Sequence, residues 1–377
     1  MQYIAVLSAI QMPRPRDFQI PLGFFEPGAH NAITDVEGVR VGQVTVTEPG
    51  PDGRSEIHTG VSCIWPHDGW PWERAVYAGT HVLNGNGDLI GINQMNEWGV
   101  LRSPILLTSS LAIGAVYDAT AKWAAAVDEH QGRENFFMPV VSEVSDLVLS
   151  DNRRFPITAR HVEAALAGAS TEPPEQGAVG SGAGTICYEL KGGVGSASRV
   201  LPERDGGWTV GAFVLTNYGA RRNLTIAGVP VGPELDVPVP PDMPLPDFPD
   251  GSCIVVVATD APLLPHQLRR IAQRGSLGLT RSGGFAGQSS GEITLAFSTA
   301  TQLDLGPKPT VDVTALRDSS NPAFNPLFEA TVEAVDEAVL NSLFEAETTT
   351  GFRGQVVERL PIEQTLEILA RHRVLAG

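Results

Sequence analysis

The sequence predicts a layered fold of mixed α and β structure, and three observations carry that prediction. The 377 residues include 40 glycines and 29 prolines, which implies many tight turns between short strands rather than a helical bundle. Hydrophobic residues make up 42% and charged residues 18%, so there is apolar side chain enough for a sizeable core, in one large or two ordinary domains. Strand-like and helix-like patterns occur in both halves of the chain without any internal repeat, as layered α/β architecture requires.

Taken in order, residues 40–47, 56–65 and 75–83 read as short strands bounded by Gly, Asn and Pro. Ala, Val and Trp at helical spacing predict a helix over about 110–130, and a second covers about 158–168. The stretch GAVGSGAGTICYELKGGVGSASR (177–199) is rich in glycine. Strands are expected at 208–217 and 224–227. Residues 230–249 carry eight prolines without periodicity, which reads as an exposed, extended linker. Beyond it, an apolar run predicts a buried strand at 254–258, followed by a helix over about 265–274. Ile293, Leu295 and Phe297 alternate along a strand at 292–299. A long amphipathic helix is expected over about 322–346 and a last one over 362–373.

Charge and composition exclude several classes of function. A net charge of −17 and a pI near 4.8 repel phosphate backbones, and no basic cluster is interleaved with aromatics, so nucleic acid is not an expected partner. No apolar run approaches the length of a membrane span. The apolar segment 3–10 lacks the basic flank and small-residue cleavage site of a secretory signal. Cys63, Cys187 and Cys253 are too few and too scattered for a disulfide framework or a CxxC site, and suit a reduced, cytoplasmic setting. Eight histidines show no HExxH pattern, so no metal centre is expected.

Three serine- or glycine-bearing segments compete for chemistry. Gly287-Gln288-Ser289-Ser290-Gly291 is formally G-x-S-x-G, but a nucleophile elbow needs a strand before the serine and a helix after it, and here a loop precedes and a strand follows. The 177–199 stretch does not open a helix as a dinucleotide fingerprint must, since 185–188 reads as strand, and it completes no Walker A pattern. Close backbone packing or a tight loop lining a pocket accounts for its glycines. The third segment is Asp250-Gly251-Ser252, just before the buried run Ile254-Val255-Val256-Val257. On its own it is a common turn-to-strand transition. Cleavage of the Gly251–Ser252 bond would change that. Ser252 would then carry its hydroxyl beside an α-amine of ordinary pKa about 7.7–8.0, so that base and nucleophile belong to one residue.

Residues 27–110 and 177–320 resemble the self-processing aminopeptidases that include the L-aminopeptidase D-amidase/D-esterases and the β-peptidyl aminopeptidases. The resemblance is carried by PGAHNAITDVEGVRVGQVTV (27–46), HTGVSCIWP (58–66), LNGNGDLIG (83–91), EWGVLRSPILLT (97–108) and VGSGAGTICYELKGGVGSASR (179–199). VLTNYGARRNLTIAG (214–228), DGSCIVVVATDAPLLPHQLRR (250–270) and SSGEITLAFSTA (289–300) complete it.

That resemblance implies an α+β fold, a four-layer αββα sandwich of the N-terminal-nucleophile type. It implies self-cleavage between Gly251 and Ser252 into an α chain, 1–251, and a β chain, 252–377, that stay together as one folded unit. Ser252 matches the family's nucleophile, and Ser290 and Glu292 match the S-x-E pair of its acid/base relay. Two residues apart on a strand, those two side chains share a face. Asn217 matches the oxyanion-stabilising asparagine, although on local grounds a strand-end Asn before a turn serves equally well. Glu143 matches the carboxylate that holds a substrate's free amine; without the resemblance it reads as an ordinary surface acid. Where the family usually has a tyrosine two residues later, this chain has Ser145, which alters the second oxyanion donor or the pocket. Cys253 needs no role beyond a buried strand entry.

The implied activity releases amino-terminal L-, D- or β-residues from small peptides, amides or esters, without metal or organic cofactor. The implied assembly is a homo-oligomer of αβ units, a tetramer. Three rivals share these features: an amidohydrolase acting on ω-amino acid amides, an acyltransferase using the same acyl-enzyme, and an unprocessed, non-catalytic scaffold.

Overall fold

The computed structural model describes residues 12–50, 55–239, 251–306, 310–318 and 322–375. Its strands in chain order are β1 Arg40–Pro49, β2 Ser55–Trp65, β3 Arg74–Val82, β4 Leu89–Ile90, β5 Val100–Leu101, β6 Ile105–Ser109 and β7 Val140–Val144. They continue with β8 Ile186–Cys187, β9 Leu190–Lys191, β10 Val194–Val200, β11 Thr209–Asn217, β12 Ser252–Thr259 and β13 Gly291–Asp304. The helices are α1 Ile92–Trp98, α2 Ile113–Val127, α3 Ala159–Ala167, α4 Pro265–Arg281, α5 Phe324–Phe344 and α6 Ile362–Arg371. No helix among the described residues is long and apolar enough to cross a membrane.

Two sheets dominate, ordered β1-β2-β6-β7-β4 and β10-β11-β12-β13-β3-β5. The parallel pairs β6/β7 and β12/β13 require crossovers, which α2 and α4 supply. One core cluster joins residues of both sheets, with Val41, Ile64, Leu107 and Val140 against Phe213, Ile254, Val256 and Leu295. A second packs Val255 and Val257 of β12 with Leu268 and Ile271 of α4 and Val335 and Val339 of α5. A third packs Val61, Leu106 and Val141 of the other sheet with Val116 of α2 and Val162 and Ala165 of α3. The run Ile254-Val255-Val256-Val257 is therefore apolar without alternation because successive residues enter different cores.

Where expectation and structure differ, close packing gives the reason. Residues 224–227 form no strand. Ile226 and Val229 exchange backbone hydrogen bonds of 2.9 Å around a turn with Ala227 and Gly228 at φ 51° and 80°, and the apolar side chains of Leu224 and Ile226 enter the core from there. The segment 230–239 is no exposed linker: Val231 and Leu235 are buried, and the Arg221 guanidinium donates to the carbonyls of Val237 and Pro238. Residues 240–249, the rest of that expected linker, and the apolar segment 3–10 lie outside the described residues.

Helix α4 runs past the predicted end at 274, through Gly275 and Gly278. These glycines are contact points, since a Cβ at 275 would meet Thr294 Cγ2 at 2.8 Å and one at 278 would meet Val335 Cβ at 2.6 Å. The glycine-rich 177–199 stretch contains β10, wholly unpredicted, and a Cβ at Gly195 would sit 1.8 Å from the Ala338 carbonyl of α5.

Helix α5 also buries charge. Arg199 donates to Glu333 at 3.1 Å and to Glu337 at 2.6 Å with all three side chains fully enclosed, Arg16 reaches Glu337 at 2.8 Å, and Arg14 reaches Glu345 at 2.8 Å. Asp336 on the same helix has Arg281 at 3.4 Å, yet burial outweighs that attraction and pushes its carboxyl up to about 7. A carboxyl raised in the folded state stabilises below its unfolded value, roughly 3.9, and loses that contribution as pH rises through about 7. Asp336→Asn is accordingly expected to raise Tm at about pH 8, by roughly 1–2 °C per kcal/mol of penalty relieved. The gain should fade toward about pH 4, where the native carboxyl is protonated in both states. Thermal melts across that range would refute the assignment if the two proteins kept a constant difference.

Candidate active site

Strand register brings three predicted site residues to one end of the second sheet. Asn217, the last residue of β11, pairs with Ser252, the first of β12, which pairs in turn with Gly291, the first of β13. Glu292 follows at once, opposite Cys253. The Ser252 hydroxyl lies 3.5 Å from the Asn86 carbonyl oxygen. The Gly251 carbonyl oxygen accepts a hydrogen bond from the Gly291 N–H at 3.1 Å. Only glycine fits at 251, because a Cβ there would lie 1.9 Å from the Asn217 carbonyl oxygen and 2.7 Å from Tyr218 Cα.

Ser290 donates its hydroxyl hydrogen bond to Glu292 Oε1. Burial pushes the Glu292 carboxyl up, against the Ser290 and Asn84 side chains, which pull it down. Its Oε2 is buried with no hydrogen-bond partner among the described residues, so the carboxylate has an acceptor site to spare for a donor arriving near Ser252.

Asn217 is fixed through its side-chain oxygen, which accepts from the Ile186 N–H at 3.0 Å. That amide is on the tight hairpin β8–β9, whose turn residues Tyr188 and Glu189 have φ 53° and 58°. Tyr188 N–H donates to the Tyr218 carbonyl at 2.8 Å, so the hairpin is also tied to the residue after Asn217. The Asn217 Nδ2 group meets no acceptor among the described residues, and it is the half of the carboxamide left for a ligand.

Glu143 is not a surface acid. It sits in β7, 7% exposed, where Oε1 accepts from the Asp88 N–H at 3.0 Å and Oε2 from the Ser110 hydroxyl. Gly87 links it to the serine end of the sheet, since a Cβ at 87 would lie 3.4 Å from Glu143 Oε1 and 3.8 Å from Gly291 Cα. Ser145 follows β7, and its hydroxyl accepts from the Leu147 N–H at 3.5 Å.

The loop of residues 83–88, to which the sequence assigned no role, also meets the candidate residues. Asn84 Nδ2 donates to the carbonyls of Ala286 and Gly287 at 3.1 and 2.7 Å, and Asn86 N–H donates to Ser290 at 3.3 Å. LNGNGD therefore laces the Ser290–Glu292 segment and reaches both Ser252 and Glu143. Its paired Asn and Gly residues were the available signal. Cys253 and Cys187 are buried thiols, with Cys187 pushed up by burial to about 12, so neither supplies a thiolate at neutral pH.

This arrangement can be set beside known proteins. The β-peptidyl aminopeptidase BapA of Sphingosinicella xenopeptidilytica is 39% identical over 380 residues, covering 97% of this chain and 93% of that protein. The solved β-aminopeptidase of a Burkholderia species superposes with a TM-score of 0.87 at 44% identity, covering 95% of this chain and 99% of that one. The L-aminopeptidase D-Ala-esterase/amidase of Ochrobactrum anthropi gives a TM-score of 0.88 at 38% identity, over 97% of this chain and 100% of that one. It is described as a prototype for the serine aminopeptidases and a variant of the Ntn hydrolase fold. Fold and likeness together define a hydrolase of the aminopeptidase class, mixed α and β in structure and Ntn-hydrolase-like. The peptidase family S58 profile matches residues 31–357, and the chain belongs to that family.

Proposed function

We propose that the chain is a serine aminopeptidase that matures by cutting its own Gly251–Ser252 bond. The observation that carries this reading is the register that aligns Asn217, Ser252 and Gly291 across three neighbouring strands, beside Ser290 and Glu292. In the first step Ser252 Oγ attacks the Gly251 carbonyl carbon, the C–N bond to Ser252 breaks, and an ester joins Gly251 to Oγ. Water hydrolyses the ester, leaving a Gly251 carboxylate and a Ser252 with free amine and hydroxyl. The Gly291 N–H already bonded to the Gly251 oxygen supports this step, because the same donor serves the oxyanion as it forms.

The mature site then repeats the chemistry on a substrate. Ser252 Oγ attacks the carbonyl of an amino-terminal residue, its α-amine takes the proton and passes it to the leaving group, and Ser290 and Glu292 orient and charge-balance that amine. Asn217 Nδ2 donates to the tetrahedral oxyanion. Water releases the acyl group. Peptides, amides and esters with an unblocked amine are the substrate class, and the names of the relatives make β-aminoacyl compounds the first to assay. The helix–sheet–sheet–helix order of the three core clusters supports the αββα sandwich. Residues on both sides of 251 supply one sheet, which supports two chains in a single folded unit; the tetramer of such units is part of the same reading.

A denaturing gel with amino-terminal sequencing tests the central claim. Two bands are expected, the smaller beginning at Ser252. A single full-length band after prolonged incubation overturns the reading in favour of an unprocessed scaffold. Faster acyl transfer than hydrolysis in the presence of an added amine favours the acyltransferase.

Glu143 supplies a second test. Glu143→Gln removes a charge-assisted bond to the substrate ammonium, a loss of about 1.5–3 kcal/mol, or roughly 10- to 100-fold in kcat/KM. The loss is expected for free-amine substrates, with self-cleavage retained. Equal kcat/KM for variant and wild type would remove Glu143 from the amine site.

A further inference from the structure

Lys191 takes no part in the steps above, yet its geometry leads to them. Its side chain is fully enclosed, and Nζ donates to the carbonyls of Gly192 at 2.7 Å, Thr185 at 2.9 Å and Gly182 at 3.2 Å. These use all three donors of an ammonium. Burial lowers its pKa to about 7, while the buried Asp146 carboxylate favours the charged form.

The Thr185 carbonyl and the Ile186 N–H are the two ends of one peptide group. Lys191 holds the oxygen end, and the N–H end donates to Asn217 Oδ1 at 3.0 Å. A line of polarised amides thus runs from the ammonium, through peptide 185–186, to the carboxamide of Asn217, whose Nδ2 meets no protein acceptor among the described residues. A positive charge at the oxygen of an amide strengthens its N–H as a donor, and each such bond strengthens the next. The hairpin is built for this contact. Ile186 pairs directly with Lys191 across β8 and β9, and the turn holds two non-glycine residues in the left-handed region, a strained conformation that packing must hold in place.

We propose that Lys191 is a positioning residue of the oxyanion site, fixing and polarising peptide 185–186 so that the Asn217 carboxamide presents Nδ2 as a strengthened donor. The inference rests on the reading of Asn217 as the oxyanion donor, and a double-variant cycle separates the two.

The experiment compares full-length wild type, Lys191→Met, Asn217→Ala and the double variant, with an aminoacyl p-nitroanilide and rates normalised to processed chain. Where a variant matures too slowly, the self-cleavage rate enters the same cycle. Asn217→Ala should lower kcat by about 10²- to 10³-fold. Lys191→Met should lower kcat by roughly 10- to 100-fold, a coupling of ordinary size between neighbouring polar groups, with KM held. In the Asn217→Ala background the lysine change should add almost nothing. Wild-type kcat in Lys191→Met, or an equal loss in both backgrounds, overturns the inference and leaves Asn217 in place. Wild-type kcat in Asn217→Ala overturns the oxyanion reading itself and the inference with it. If Lys191→Met does not fold, Lys191→Gln, neutral but still a donor, replaces it. Failure of both to fold assigns the lysine to stability alone and also overturns the proposal.

Discussion

Ser252→Ala is expected to leave one full-length band and no measurable hydrolysis, with the fold unchanged. Both outcomes follow from the same small feature. The hydroxyl is the proposed nucleophile for the chain's own peptide bond and for every later substrate, and loss of a covalent nucleophile costs on the order of 10⁶-fold in kcat. Its structural contribution is slight, since its one hydrogen bond among the described residues, to the Asn86 carbonyl, is 3.5 Å long, at the outer limit of such a contact. The Tm should therefore move by no more than an ordinary surface substitution, about 0.5 kcal/mol in stability. Gel, sequencing and melt together make the check. Cleavage of the variant at the wild-type position would transfer the nucleophile to another residue.

Gly251→Ala should block maturation with Ser252 untouched. One methyl at 251 would lie 1.9 Å from the Asn217 carbonyl oxygen, far inside van der Waals contact, so the end of β11 or the entry to β12 must move. Either shift disturbs the Asn217–Ser252 pairing and the 3.1 Å bond from Gly291 N–H to the Gly251 oxygen. Misplacement of about 1 Å costs some 10²-fold in a positioned reaction, and that is the least slowing expected. A precursor that folds by circular dichroism yet processes at the wild-type rate would falsify the steric argument.

The sequence makes the strands that carry the candidate site only partly legible, and the boundary has a physical cause. The β12 strand could be read because Ile254 to Val257 is an unbroken apolar run, and β13 because Ile293, Leu295 and Phe297 alternate. Strand β7 could not be read, since Ser142 and Glu143 interrupt its apolar pattern while being buried by contacts made far away in sequence, to the Asp88 carbonyl and N–H and to Ser110. Strand β10 hid for the opposite reason. Its Gly, Ser and Ala residues look like loop composition, but they are small because the α5 backbone passes against them. The family resemblance points to Gly251, Ser252, Ser290, Glu292, Asn217, Glu143 and Ser145. Nothing local pointed to Ile186, Lys191 or the Asn86 carbonyl, since backbone groups leave no mark in a sequence and a lone Lys in a glycine-rich stretch has no period.

The placement of β12 and β13 between β11 and β3 has a consequence for how the protein recovers from unfolding. Before cleavage, the sheet closes within one molecule, and regaining it is a first-order process. Were the Gly251–Ser252 bond cut as proposed, the two inner strands and the outer ones would belong to different polypeptides, as would Arg14, Arg16 and Arg199 and the α5 carboxylates they meet. Refolding would then be bimolecular, with a yield that falls on dilution. The proposed cut would turn a concentration-independent folding problem into a concentration-dependent one, so that the processed protein, once denatured, would be harder to recover than its precursor was to make.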